Sequence, residues 1–341
     1  MDGTAALPSS RRIRALVIER YGGPEVMRMD SDAPIPVPAA GQVLVRVVCA
    51  GINFMDVHTR QGKYARSRTY PVRLPCTLGM EGAGVVVEAG AGVKHLRPGQ
   101  RIAWCIAWGS FAEFACIPAH LAAVLPDGIA FDTAAAAMFH GCTAHYLVND
   151  VARLHAGSRC LIHAASGGIG QILVQMAKRL GAKVYATAST EAKRQIAYAR
   201  GADEVFAYGN GAFADAVRRS NGGNGVDVVF DSVGKDTLRG SFRATRTQGL
   251  VVNYGNVSGS VMDLDPYELG EAGSLFLTRP RLADHMRDAA TVQRRADDVF
   301  SAILDGTLRL EIAGQHAFAD IAIGLERIES RQQVGKAVVW I

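Results

Sequence analysis

The chain has 341 residues, 49% hydrophobic and 20% charged, with a formal net charge of +5. That length exceeds the size at which one hydrophobic core keeps growing, so two globular domains are expected. The charge is too dilute to mark a nucleic-acid binder, and no apolar run reaches the roughly 18 residues of a membrane span. The small positive surplus does suit an anionic cofactor.

Residues 1–12 carry Asp2, Leu7-Pro8 and Arg11-Arg12 but no apolar stretch, which reads as a frayed leader and not a signal peptide. The first third is then β-rich. Residues 13–19, 42–49 and 84–88 are runs of Val and Ile, punctuated by Gly22-Gly23-Pro24, by prolines from Pro34 to Pro38 and by Pro98-Gly99. The six cysteines (Cys49, Cys76, Cys105, Cys116, Cys142, Cys160) are scattered without a CxxC pair, and imply reduced thiols in a cytoplasmic protein.

From Ala134 the pattern changes. Short apolar runs at 159–165, 183–188, 226–231 and 249–254 alternate with helical stretches, among them 170–180 and 191–200, so βαβ units on a parallel sheet are expected. Residues 291–304 and 318–328 read as helices, the second with Ile321, Leu325 and Ile328 on one face, and 337–341 as a last strand.

The strand at 159–165 runs into Ala165-Ser166-Gly167-Gly168-Ile169-Gly170 and a helix, a dinucleotide fingerprint with Ala in the first glycine slot. Gly167 admits the pyrophosphate, Gly170 admits close helix–strand packing, and the helix N-terminus presents free N–H groups. An NAD site places an acid near the end of the second strand. Here Ala188 holds that place, followed by Ser189 and Thr190, with Lys193 in the next helix, so NADPH is the expected cofactor. A rival from another class uses the same residues: Ser166 sits almost in a nucleophile elbow, and Asp231 and His285 follow in the order of a serine hydrolase.

Together these blocks resemble the zinc-free quinone oxidoreductases, the zeta-crystallin-like branch of the medium-chain dehydrogenase/reductases. The resemblance rests on GGPEV from Gly22, GINFMD from Gly51, GMEGAG from Gly79, VKHLRPG from Val93, AASGGIG from Ala164, DSVG from Asp231, YGN from Tyr254 and LTRP from Leu277. It implies an α/β protein with a GroES-like catalytic domain (1–138 and 282–341) around a Rossmann doubly wound parallel-sheet domain (139–281), the cofactor in the cleft between them, and a homodimer joined by its sheet edges. It implies that Asn53, Asp56 and Tyr64 line the site, with Thr143 near the nicotinamide. Lys193 and Tyr208 would serve the adenosine-phosphate end, and Gly255-Asn256 the nicotinamide side. Residues 66–69 and 262–273 depart from the pattern.

Zinc alcohol dehydrogenases of this superfamily take their catalytic metal through Cys in G-x-C, His in G-H-E and a later Cys; here those places read Asn53, Met80 and Phe139, so no metal is expected. Without a Lewis acid, a conjugated acceptor is the natural substrate, because conjugation spreads the incoming charge. The expected activity is hydride transfer from NADPH to a quinone, with Tyr64 or solvent supplying the proton and Asn53 donating to a carbonyl or holding its loop. Alternatives are an enone or 2-alkenal double-bond reductase on the same scaffold, and an NADPH-sensing binding protein with little catalysis. Trp104 and Trp108 are candidates for an apolar wall.

Overall fold

Alternating Val and Ile residues build the first sheets, as β-branched side chains pack well on a pleated, half-buried surface. The computed structural model describes residues 12–330 and 334–341. The leader reading of residues 1–11 lies outside the described residues, and Arg12 already belongs to β1 (Arg12–Ile18). The chain divides into two compact units. One holds the described residues up to Cys142 with His285–Gly306 and Leu310–Ile341; the other holds Thr143–Asp284 with Thr307–Arg309.

In the first unit β1 is followed by β2 (Met27–Pro34), β3 (Gln42–Ile52), α1 (Phe54–Arg60), β4 (Cys76–Thr77), β5 (Glu81–Ala89), β6 (Arg101–Cys105), β7 (Phe114–Pro118) and β8 (Ala122–Val124). β2, β1 and β4 form a three-stranded sheet, and β3, β5, β6 and β8 form the spine of a larger one, with β7 also on β3. A core of Leu16, Ile18, Ile52, Val57, Leu78 and Phe111 fills this unit. The helix α2 (Phe131–Tyr146), which buries Ala134 to Ala137, carries the chain into the second unit.

There the elements alternate: β9 (Arg159–Ile162), α3 (Gly168–Arg179), β10 (Lys183–Thr187), α4 (Glu191–Ala199), β11 (Glu204–Phe206), α5 (Phe213–Ser220), β12 (Val226–Asp231), α6 (Leu238–Ala244), β13 (Thr245–Asn253), α7 (Tyr267–Glu271) and β14 (Phe276–Thr278). All six strands are parallel in the order β11-β10-β9-β12-β13-β14. Connections from β9 run outward to both sides, the doubly wound Rossmann arrangement, whose switch point lies between β9 and β12. Several boundaries differ from the sequence expectation, β13 for instance starting four residues before 249. β9 stops at Ile162 because Ala164 turns into the left-handed region at φ 51, and α3 begins two residues earlier, at Gly168.

The tail returns to the first unit through α8 (Ala289–Leu304), β15 (Ile312–Ala317), α9 (Ile321–Glu329) and β16 (Lys336–Trp340). Residues 318–320 form a tight turn ahead of α9, whose proper start is Ile321. β16 lies antiparallel to β3, with Ala337 opposite Ile52, and β15 closes that edge.

Candidate active site

The parallel sheet ends its strands in a cluster of turns. At the end of β9 the buried His163 ring bridges the Thr187 and Ser241 hydroxyls at 2.7 and 3.0 Å, and Ser241 donates to Asp231 at 2.7 Å. Burial pushes the His163 pKa down, so the ring is neutral at neutral pH. The Ala164 N–H donates to the Tyr208 hydroxyl at 2.9 Å, and the Ala164 carbonyl accepts from Gly167 N–H at 2.9 Å. A Cβ on Gly170 would stand 2.3 Å from that carbonyl, so only glycine lets α3 lie this close to the turn. Gly167 caps α3 with no side chain bonded to the first-turn N–H groups, leaving donors for an anion.

Ser166, Gly167, Gly168, Ile169 and Gly170 thus share one edge with Ser189, Thr190 and Lys193 after β10, Tyr208 after β11, and Gly255-Asn256 after β13. Two of these have duties the sequence did not suggest. Tyr208 holds the turn through Ala164, and Thr190 caps α4 by accepting the Lys193 N–H at 3.3 Å. Glu191, the nearest acid, gives its carboxylate to Arg194 and Gln195. Gly255 allows the β13 end to approach Ser232, whose carbonyl would meet a Cβ at 2.4 Å; the Asn256 amide donates to Ser260 at 3.1 Å. The Thr143 hydroxyl is buried without a hydrogen-bond partner. Open helix donors, no free acid after β10 and an orphaned hydroxyl together fit a phosphorylated dinucleotide.

The hydrolase reading is corrected here. Asp231 accepts from the Thr237 and Ser241 hydroxyls and from the N–H groups of Val233 and Gly234, and His285 belongs to the other unit. The His163–Ser241–Asp231 chain itself was missed in the sequence. Its one local signal is a histidine closing an apolar strand.

In the first unit, Asn53 caps the start of α1, Asp56 lies on it and Tyr64 follows in the loop after it. Asp56 is fully buried and accepts the Asn53 N–H at 2.8 Å and the Met80 N–H at 3.1 Å, so it ties two loops together. The Asn53 carbonyl accepts from the buried Lys336 ammonium at 2.6 Å, and its amide nitrogen faces Glu81 at 2.9 Å, Gly51 O at 3.3 Å and Met80 Sδ at 3.4 Å. Lys336 also pairs with Glu81 at 2.5 Å, and the Phe139 N–H donates to the other Glu81 oxygen at 2.5 Å. Each place where zinc relatives carry a ligand therefore joins a Lys–Glu–amide knot. An amide, a thioether, a phenyl ring and an ammonium do not fit zinc. Among the described residues no group of three His, Cys, Asp or Glu side chains stands together as a metal site.

Tyr64 packs edge-on to Tyr70 at 5.7 Å and lies 6.4 Å from Trp108, whose indole N–H donates to the Pro71 carbonyl at 3.1 Å. Trp104 is fully buried and is no part of this wall. His58, 6.2 Å from Tyr64, is pushed down to a pKa of about 4 by burial and by Lys63.

Residues 39–127 match the model of the alcohol dehydrogenase GroES-like domain, and residues 168–286 that of the zinc-binding dehydrogenase family. Quinone oxidoreductase 1 of Escherichia coli K12 is 35% identical over 94% of this chain and 97% of its own length. A 2-haloacrylate reductase of a Burkholderia species is 34% identical over 96% of this chain and 98% of its own. The solved E. coli quinone oxidoreductase complexed with NADPH superposes with a TM-score of 0.90, at 34% identity, over 96% of this chain and 100% of that one.

Proposed function

The chain belongs to the zinc-free quinone oxidoreductase branch of the medium-chain dehydrogenase/reductases, and from that premise we propose that it reduces quinones with NADPH and without a metal. The observation that carries this reading is the strand-end cluster of the parallel sheet, where the α3 N-terminus has no side-chain cap and Lys193 follows β10 with Glu191, the acid beside it in sequence, engaged by Arg194. The NADPH-bound relative supports it. Bound NADPH supplies a hydride, and one proton completes the reduction of a quinone to a hydroquinone. The glycine turn and Lys193 hold the phosphates. Asn53 serves as a positioning residue, since its amide is committed to Glu81, Gly51 and Met80. Tyr64 is the candidate donor to the developing oxyanion, and Trp108 and Tyr70 steady its ring.

The 2-haloacrylate reductase favours a second reading, reduction of a conjugated carbon–carbon double bond at the same place. Following NADPH consumption with a quinone panel and an enone panel separates the two. Turnover of quinones, with simple alcohols inert in reverse, supports the first; turnover confined to enones replaces it with the second, and turnover of neither refutes both. Tyr64→Phe should lower kcat for quinone about tenfold.

A further inference from the structure

From Val57 to Met80 the chain contains no Asp or Glu, yet it carries Arg60, Lys63, Arg66, Arg68 and Arg73. Arg60 is neutralised by Glu329, whose two oxygens lie 2.9 and 2.8 Å from its guanidinium. Arg73 faces a groove shared with Glu19 and Asp30, both of which pair with Arg28. Lys63, Arg66 and Arg68 are different. They are exposed, and among the described residues none has an acidic partner. The group nearest the Lys63 ammonium is the His58 ring at 2.8 Å, and that ring is neutral at neutral pH.

This charge is mounted on an ordered loop. Lys63 N–H donates to the His58 carbonyl at 3.0 Å, Ala65 to Gly62 at 3.0 Å, Ser67 to Tyr64 at 2.9 Å, and Tyr70 N–H to the Ser67 hydroxyl at 3.0 Å. Tyr64 and Tyr70 belong to the same loop, and Trp108, from the segment after β6, packs against Tyr64. Three unpaired cations beside a platform for a planar ring form a receptor for a ring that carries a negative charge.

We propose that Lys63, Arg66 and Arg68 are specificity determinants that select anionic acceptors, namely quinones or conjugated carbonyl compounds bearing a carboxylate or sulfonate. The inference rests on the reading that Tyr64 faces the acceptor. Exposed cations act over about one Debye length, roughly 10 Å at 0.1 M salt, so their effect falls on capture of substrate and is sensitive to ionic strength.

The test uses the full-length enzyme with NADPH and a matched pair of probes, a sulfonated ortho-naphthoquinone and its unsulfonated parent. The sulfonate also makes the ring more electrophilic, so the comparison is made across salt and across the charge-reversed variant Arg66→Glu/Arg68→Glu. Expected is a kcat/KM for the sulfonated probe that drops about tenfold from low to high salt and about tenfold in the variant, through KM. Turnover of the parent quinone should stay level in both comparisons, and the KM for NADPH should stay level between wild type and variant at the same salt. Equal responses of both probes, or a change confined to the KM for NADPH, would overturn the proposal and leave the loop as a solvated surface or a cofactor attractor. Failure of both probes in the wild-type enzyme would refute the quinone reading itself. Lys63→Gln serves as a milder variant, expected to show a smaller loss in the same direction.

Discussion

Asp56 has both carboxylate oxygens on backbone N–H groups, yet burial outweighs those bonds and pushes its pKa up to about 7. A carboxyl whose folded pKa lies above its unfolded value binds more protons folded than unfolded between the two. Its contribution to stability is therefore complete below about pH 4 and is lost as pH rises toward 7. Chemical denaturation across that range should show this loss, at most about 1.4 kcal/mol per pH unit. The variant Asp56→Asn should be less stable overall, because its amide meets a backbone donor, but its stability should lack that decline; an identical pH profile in both proteins would count against it. Lys193 is half-buried beside the Thr190 cap, with no acid after β10 nearer than the engaged Glu191. A partly exposed charge-assisted bond to a phosphate stands at the low end of about 1.5–3 kcal/mol. Lys193→Ala should accordingly weaken NADPH about tenfold and leave NADH nearly unchanged, as read from kcat/KM for the two cofactors. Equal loss for both would place the 2′-phosphate elsewhere.

The strand β16 shows what one element contributes beyond its ladder. It brings Lys336 to the buried Glu81, 255 residues earlier in the chain, and both are almost free of solvent. Removing one partner of a buried pair leaves a charge without compensation and typically costs about 3–5 kcal/mol, whereas removing both charges costs far less. Lys336→Met should thus unfold at markedly lower denaturant, and Glu81→Gln/Lys336→Met should recover most of the difference. A double variant no better than the single one would mean the pair is held by its shape and not its charge. None of this was legible in the sequence, because a lysine before an apolar run reads as a strand edge, and its partner lies far from any local pattern. The β9–turn–α3 unit was legible, since its signals are local: an apolar run, glycines at fixed spacing, then a 3.6-residue period. Asn53, Met80 and Phe139 were identifiable as replacements for metal ligands, but the ammonium that joins them was not.

At the scale of the molecule, the six-stranded sheet ends in β14, a short edge strand whose Phe276 is 63% exposed, with Tyr267 at 70% and Met262 at 90% nearby in sequence. An unpaired edge with apolar side chains is a template for pairing with a second copy. Light scattering should give about twice the 36.3 kDa chain mass, and Phe276→Lys should shift it toward the single chain; a wild-type monomer would end the dimer expectation. The division of the chain also sets a timetable. Ribosomes add about 5–20 residues per second, so Glu81 waits tens of seconds for a lysine 255 residues downstream. During that wait the second unit, nearly all of it one uninterrupted stretch, is complete and free to fold, while the first lacks β15, β16 and its compensating ammonium. A message that ends before Lys336 leaves the buried Glu81 carboxylate without its ammonium, so the released chain should be no more stable than the Lys336→Met variant.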